Sequence, residues 1–231
     1  MCRRGTVQYV AEEPMTPHAR DAIVHDITLA LDEDVLLYPG DSPPHVRRLC
    51  SLEDGATVTA SEFSMQCHVG THVDAPAHFI LGGKNVSDYP IAAFLGPAMV
   101  VNVSDARVVT ATELRGQGIP RNQHVLLKTQ NSKRLGERKF DADHVYLARD
   151  AAEYLLSLNP LSVGFDYYSV DQSGGAELPI HRLFAKEQLL VYVCLDLRSV
   201  PAGAYTFCGL PLRLQNVEGS PVRAILIPTG T

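Results

Sequence analysis

The 231-residue sequence has little that would anchor or staple it. It has no long apolar run. The greasiest stretch, Leu189 to Leu195, is far too short to span a bilayer. The first residues, Met1 to Thr6, carry charge with no apolar stretch behind them, so no signal-peptide core is expected. Five cysteines, an odd count with no C-x-x-C pair, argue against a disulfide framework or a zinc ribbon. Together these absences predict a cytoplasmic protein with no membrane partner. Positive charge is also short. Twenty basic residues stand against 26 acidic ones, a net charge of -6, and this excludes the broad basic face that nucleic-acid binding needs. Internal repeats and low-complexity linkers are missing too.

What is present is ordinary, with one exception. An apolar share of 45% and a charged share of 20% are globular values. A chain of this length fits one domain and can bury roughly 70% of its unfolded surface, so it needs no staples. The exception is histidine, of which there are nine. Imidazole is the commonest metal ligand and the side chain that titrates near neutral pH.

Strands dominate the pattern. Ala22 to Leu31, Pro97 to Val103, His124 to Thr129, Leu161 to Phe165, Leu189 to Leu197, Tyr205 to Leu214 and Val222 to Ile227 read as strands. Thr110 and Glu113 have the spacing of a capping box and open a short helix that Gly116 and Gly118 end. Asp141 and Asp143 start a second helix, whose apolar spacing runs from Val145 to Leu158 before Pro160 stops it. Arg182 to Gln188 reads as a third. A single α/β domain over residues 21–231, preceded by a flexible arm over 1–20, is the simplest account.

Residues 63 to 78 carry the chemistry. His68 and His72 are four apart, but Val69, Gly70, Thr71, Val73 and Pro76 oppose a helix. At the strand period, Phe63, Met65, Cys67, Val69, Thr71 and Val73 fall on one face and His68, Gly70, His72 and Asp74 on the other. Gly70 then leaves room between the histidines, and His78 follows on the turn past Pro76. Two imidazoles and a carboxylate converging on a point suit a zinc, manganese or iron ion with positions left for water and substrate. The competing reading is a solvated or hydrogen-bonded polar face. His18, His25, His45, His124 and His144 have no ligand-type company in sequence and read as surface or strand residues.

The run His68-x-Gly70-Thr71-His72-x-Asp74-x-Pro76-x-His78 resembles the signature of the cyclase family, which includes bacterial kynurenine formamidase and isatin hydrolase. The resemblance continues through Tyr38-Pro39-Gly40-Asp41, Val163-Gly164-Phe165-Asp166, His181-Arg182, Leu195-Asp196-Leu197, Leu210-Pro211-Leu212 and Pro221-Val222-Arg223-Ala224. It implies the strand-rich, swivelling β/β/α fold of that family and a homodimer or homotetramer. It also implies that His68, His72 and Asp74 are metal ligands and that His78 is the acid–base residue. His181 matches the histidine of a second metal site, but the glutamate expected twelve residues on is Val193, which cannot bind an ion. One divalent metal, zinc or manganese, is therefore expected.

The implied activity is hydrolysis of a C–N or C–O bond in a small carbonyl substrate: an amide, cyclic amide or lactone. His78 and His181 are the catalytic candidates, and Tyr38, Asp41, Phe79 and Asp166 the substrate-binding ones. Asp41 and Asp166 also read as turn or capping residues, and Tyr167, Tyr168 and Phe79 read either as the lining of an aromatic pocket or as core. The altered second site motivates an alternative, a non-hydrolytic cyclase, dehydratase or isomerase working with an altered or absent metal. A degenerate binding protein is opposed by the intact set of His68, His72, Asp74 and His78.

Overall fold

The strand that carries two of the candidate ligands, His72–Asp74, is three residues long and fully buried. It closes a barrel. The computed structural model describes residues 24–103, 105–175 and 177–229, and the expected N-terminal arm lies outside them. In chain order the strands are β1 (His25–Asp26), β2 (His45–Cys50), β3 (Ala60–Ser64), β4 (His72–Asp74), β5 (Leu95–Asn102), β6 (Val108–Val109), β7 (His124–Lys128), β8 (Tyr146–Leu147), β9 (Ser162–Phe165), β10 (Leu190–Val193), β11 (Gly203–Pro211) and β12 (Gly219–Pro228). The helices are α1 (Ala111–Arg115), α2 (Asn131–Leu135), α3 (Arg149–Ser157) and α4 (Pro179–Lys186).

Seven strands run around the barrel in the order β12-β11-β5-β7-β9-β10-β4, and β4 pairs again with β12 to close it. The pairs β5·β7, β7·β9 and β9·β10 are parallel and the rest antiparallel. β1 extends the sheet along β12. The fold is thus α/β and strand-rich with few helices, as the sequence implies.

Alternation divides the core in two. Val73, Val100, Leu126, Tyr192, Phe207 and Ala224 form one buried cluster, drawn from strands all round the barrel. Their sequence neighbours Val101, Val125, Val191 and Val193 form the other with Val163 of β9 and with Leu114, Ala151, Leu155 and Phe184 from the helices. The first is the barrel filling, and the second is the layer between the barrel wall and the helices. Because Val73 belongs to the filling, His72 and Asp74 point the other way, towards the helices.

Four expectations need correction. The strand predicted across residues 63–74 is broken: β3 ends at Ser64, and 67–70 form turns before β4. Gly70 has φ +69°, and a Cβ there would lie 2.6 Å from Leu31, so this glycine turns the chain against Leu31 rather than leaving space for an ion. The helix expected from Val145 starts at Arg149, because Tyr146–Leu147 pair with β6 as a short parallel strand. His144, expected on the surface or in a strand, is buried in a loop between the carbonyls of Asp141 (3.2 Å) and Asp171 (3.0 Å). By contrast the capping box of α1 is formed, with the Thr110 amide donating to Glu113 at 2.8 Å. No helix among the described residues is long and apolar enough to cross a membrane.

His124 gives the fold a pH dependence. It is fully buried in β7, with Nδ1 2.7 Å from the Ser162 hydroxyl, and burial lowers its pKa from 6.5 to about 4. The unfolded chain gains this proton near pH 6.5 and the folded chain only near 4. Stability present above 6.5 therefore drains as pH falls, by about 3 kcal/mol at completion. Urea midpoints measured between pH 7.5 and 4 should show His124→Asn losing less stability than the wild type. Equal losses would remove His124 as the cause.

Candidate active site

Asp74 is the hub of a cluster that β4, the preceding turn and α4 bring together. Its Oδ1 lies 2.7 Å from His68 Nδ1 and 3.2 Å from His72 Nε2, and its Oδ2 lies 3.9 Å from His181 Nε2. His72 and Asp74 share a face of β4 because they are two apart. β4 is held extended between β10 (Val191↔Asp74, Val193↔His72) and β12 (Gly219↔Asp74, Pro221↔His72). The turn that presents His68 is fastened by Thr71, whose hydroxyl donates to the Cys194 carbonyl at 2.6 Å and accepts from the Leu29 amide at 2.9 Å. The Gly70 amide also donates to the Tyr168 hydroxyl at 3.3 Å.

Each imidazole has a polar partner on its far nitrogen. His72 Nδ1 lies 2.8 Å from the Gly70 carbonyl, which can only accept. His181 Nδ1 lies 2.6 Å from Asp171 Oδ2. Asp171 also accepts from the Ile180 and His181 amides (2.7 and 3.0 Å), so one buried carboxylate caps α4 and orients His181. His68 Nε2 lies 3.2 Å from Glu218 Oε1. The Gly70 carbonyl and the Asp171 carboxylate only accept, so the Nδ1 atoms of His72 and His181 donate to them and their Nε2 atoms face the Asp74 carboxylate. An imidazole nitrogen 3.2 Å from a carboxylate oxygen carries either its own proton or a metal ion between the two. The donor set of His68, His72 and Asp74, whose ligand atoms all lie within 4.8 Å of one another, therefore fits a divalent ion.

Electrostatics agree with the geometry. Burial opposes the charge on Asp74, yet His72 and His68 together hold its pKa well below the usual carboxylate range. Burial likewise opposes the charge on His68, but its contacts with Asp74 and then Glu218 raise its pKa overall. Burial lowers the pKa of His78, and the charges of His68 and His181 reinforce this against the pull of Asp74. The His78 ring stacks on His68 with centroids 3.8 Å apart, and Phe79 stacks on His181 at 4.5 Å.

A cavity of about 290 Å³ opens on this cluster. Its lining brings together His68, His72, Asp74, His78 and His181 with the expected Tyr38, Asp41 and Phe79, and adds Tyr168, Ser169 and Leu178. Burial raises the pKa of Asp41, while His68 and His72 pull it back. Asp166 does not belong here. It is fully buried and accepts from the amides and hydroxyls of Thr129 and Ser132 at 2.6–2.9 Å, fixing the turn into α2. The proposed substrate contact is thus corrected to a structural one. Tyr167 and Tyr168 divide: Tyr168 faces the cavity, while Tyr167 is buried with its hydroxyl 2.6 Å from the Asp141 amide.

Val193 lies opposite His72 on β10 and points to the same face. A carboxylate at 193 would stand beside His72, and valine brings none. Sequence reasoning passed over Glu218, which sits 150 positions from His68 with no periodic signal joining them.

The Cyclase family model, described as "Putative cyclase", matches residues 25–172, more than half of the chain. The chain belongs to the cyclase family. Kynurenine formamidase of Bacillus anthracis is 32% identical over 203 residues, which cover 88% of this chain and 96% of that protein. A solved structure described as a potential metal-dependent hydrolase with cyclase activity is 26% identical. It covers 90% of this chain and 99% of its own, with a TM-score of 0.78. Isatin hydrolase A from Labrenzia aggregata, bound to benzyl benzoate, shares the fold at a TM-score of 0.80 and 24% identity, over 93% of this chain and 96% of that one.

Metal analysis of this cyclase-family chain, purified without chelator, should find about one ion per chain, and His72→Ala should carry none. Val193→Glu should raise the count towards two. A wild-type count of two would refute the reading of Val193.

Proposed function

We propose that the chain is a metal-dependent hydrolase that cleaves the C–N bond of a small amide or cyclic amide, with one zinc or manganese ion held by His68, His72 and Asp74. The observation that carries this is the convergence of His68, His72 and Asp74 at the cavity, with ligand atoms that all lie within 4.8 Å of one another. It also disfavours the non-hydrolytic alternative, which was motivated by an altered or absent metal. The kynurenine formamidase and metal-dependent hydrolase relatives support hydrolysis, so N-formyl aryl amides and isatin are the first substrates to test.

A divalent ion in such a site lowers the pKa of water to about 7 and polarises a carbonyl. The protein supplies the rest. His78, at the cavity wall, takes the proton from the attacking water and returns it to the leaving nitrogen. Stacking on His68 holds its ring over the cluster. Tyr38, Phe79 and Tyr168 offer flat apolar walls for an aryl group, and Asp41 offers an acceptor for an N–H. His181, pinned by Asp171, directs Nε2 into the cavity as a metal neighbour or a substrate contact.

Assembly into a cytoplasmic homodimer or homotetramer is part of this proposal. The β2–β3 hairpin supports it, since its cross-strand pair Val46 and Phe63 is 64% exposed at each residue, and an isolated two-stranded hairpin is marginal in water. Light scattering should give a mass of at least two chains, falling towards one in Val46→Glu/Phe63→Glu.

His78→Ala should lower kcat by about 10²–10⁴ and keep the ion. Retained turnover would remove His78 from the mechanism, and loss of the ion would recast it as a ligand.

A further inference from the structure

We infer that Glu218 is the positioning residue that orients His68 for the cation, an inference that rests on the metal-hydrolase reading. His68 is the one member of the His68, His72 and Asp74 set that no strand holds. Its ring therefore needs another constraint, and two features at the start of β12 supply it. The Glu218 carbonyl accepts from the Ala75 amide at 2.8 Å, and the next residue, Gly219, pairs with Asp74. This places the Glu218 carboxylate 3.2 Å from His68 Nε2 while Nδ1 faces Asp74 at 2.7 Å. Gly219 is the surface on which the ring rests. A Cβ there would come within 2.3 Å of His68 Cε1 and within 2.9 Å of both ring nitrogens.

His68, His78 and Glu218 also lie close enough to be taken for a second metal site. Their ring geometry argues otherwise. The two imidazoles are stacked at 3.8 Å with planes only 19° apart. Lone pairs lie in the ring planes, so here they run side by side instead of converging, and a shared ion would sit well out of both planes. A hydrogen bond from Nε2–H to Glu218 has no such conflict. It keeps Nδ1 of His68 turned to Asp74, where an ion would replace the proton that this nitrogen shares with the carboxylate, as Gly70 and Asp171 fix His72 and His181 in the reverse sense. Loss of an outer carboxylate of this kind costs about 10–100-fold in metal affinity.

The test is a chelator-competition titration with Zn²⁺ on the full chain, comparing wild type, E218A and E218Q, with melting curves of the metal-free proteins. E218A should bind zinc about 10–100-fold more weakly at an unchanged melting temperature. E218Q should stay close to wild type, because its amide oxygen still accepts from Nε2–H. If E218A matches wild type, the positioning role is wrong while the metal reading stands. If E218Q falls as far as E218A, Glu218 acts as a ligand or through its charge, and the inference is overturned. A second zinc that E218A loses would also overturn it. Wild type that takes up no zinc would sink the metal reading and the inference with it.

Discussion

The site depends on one constraint: Asp74 is a carboxylate buried in the wall of a barrel. A buried charge is costly unless hydrogen bonds, opposite charges or a metal compensate it. Three imidazoles surround this one, and each is tied on its far side to a carbonyl or a carboxylate. The local architecture follows. β4 is clamped on both edges, the turn before it is fastened by Thr71, and α4 is capped by the same Asp171 that orients His181.

The sequence made the identity of these groups readable, but not the shape that presents them. His72, Asp74 and Val73 obey the strand period because β4 is a true strand with one face on the barrel filling. His68 fits the same period by coincidence. Gly70 adopts a left-handed conformation, and the chain turns instead of running straight. Alternation cannot reveal a turn made by one glycine. Asp166 shows the opposite failure. Its place at a strand end matched that of a site residue, but local donors from Thr129 and Ser132 claimed it first.

What lay beyond reach was long-range register. Glu218 becomes relevant only because Gly219 falls opposite Asp74, a pairing between residues far apart in the chain. Val193 was readable from the spacing of a resemblance, and the register of β10 against β4 places it beside His72. The two positions flank β4 from opposite sides. The acidic partner missing on the β10 side is thus matched by one present on the β12 side, next to a different histidine.

The closure of the barrel through β4 has a further consequence. Most surface sites sit on loops that can open while the body of the protein stays folded. Here the strand bearing His72 and Asp74 is also the seam of the barrel, hydrogen-bonded on both edges. Freeing either side chain by moving its backbone would unzip two strand pairs at once. The rest of the lining, Tyr38, Asp41, Ser169 and Leu178, lies in loops and at the start of the short helix α4. The cavity thus joins a wall fixed by the barrel seam to one made of loop and helix end, and only the second can move without opening the barrel.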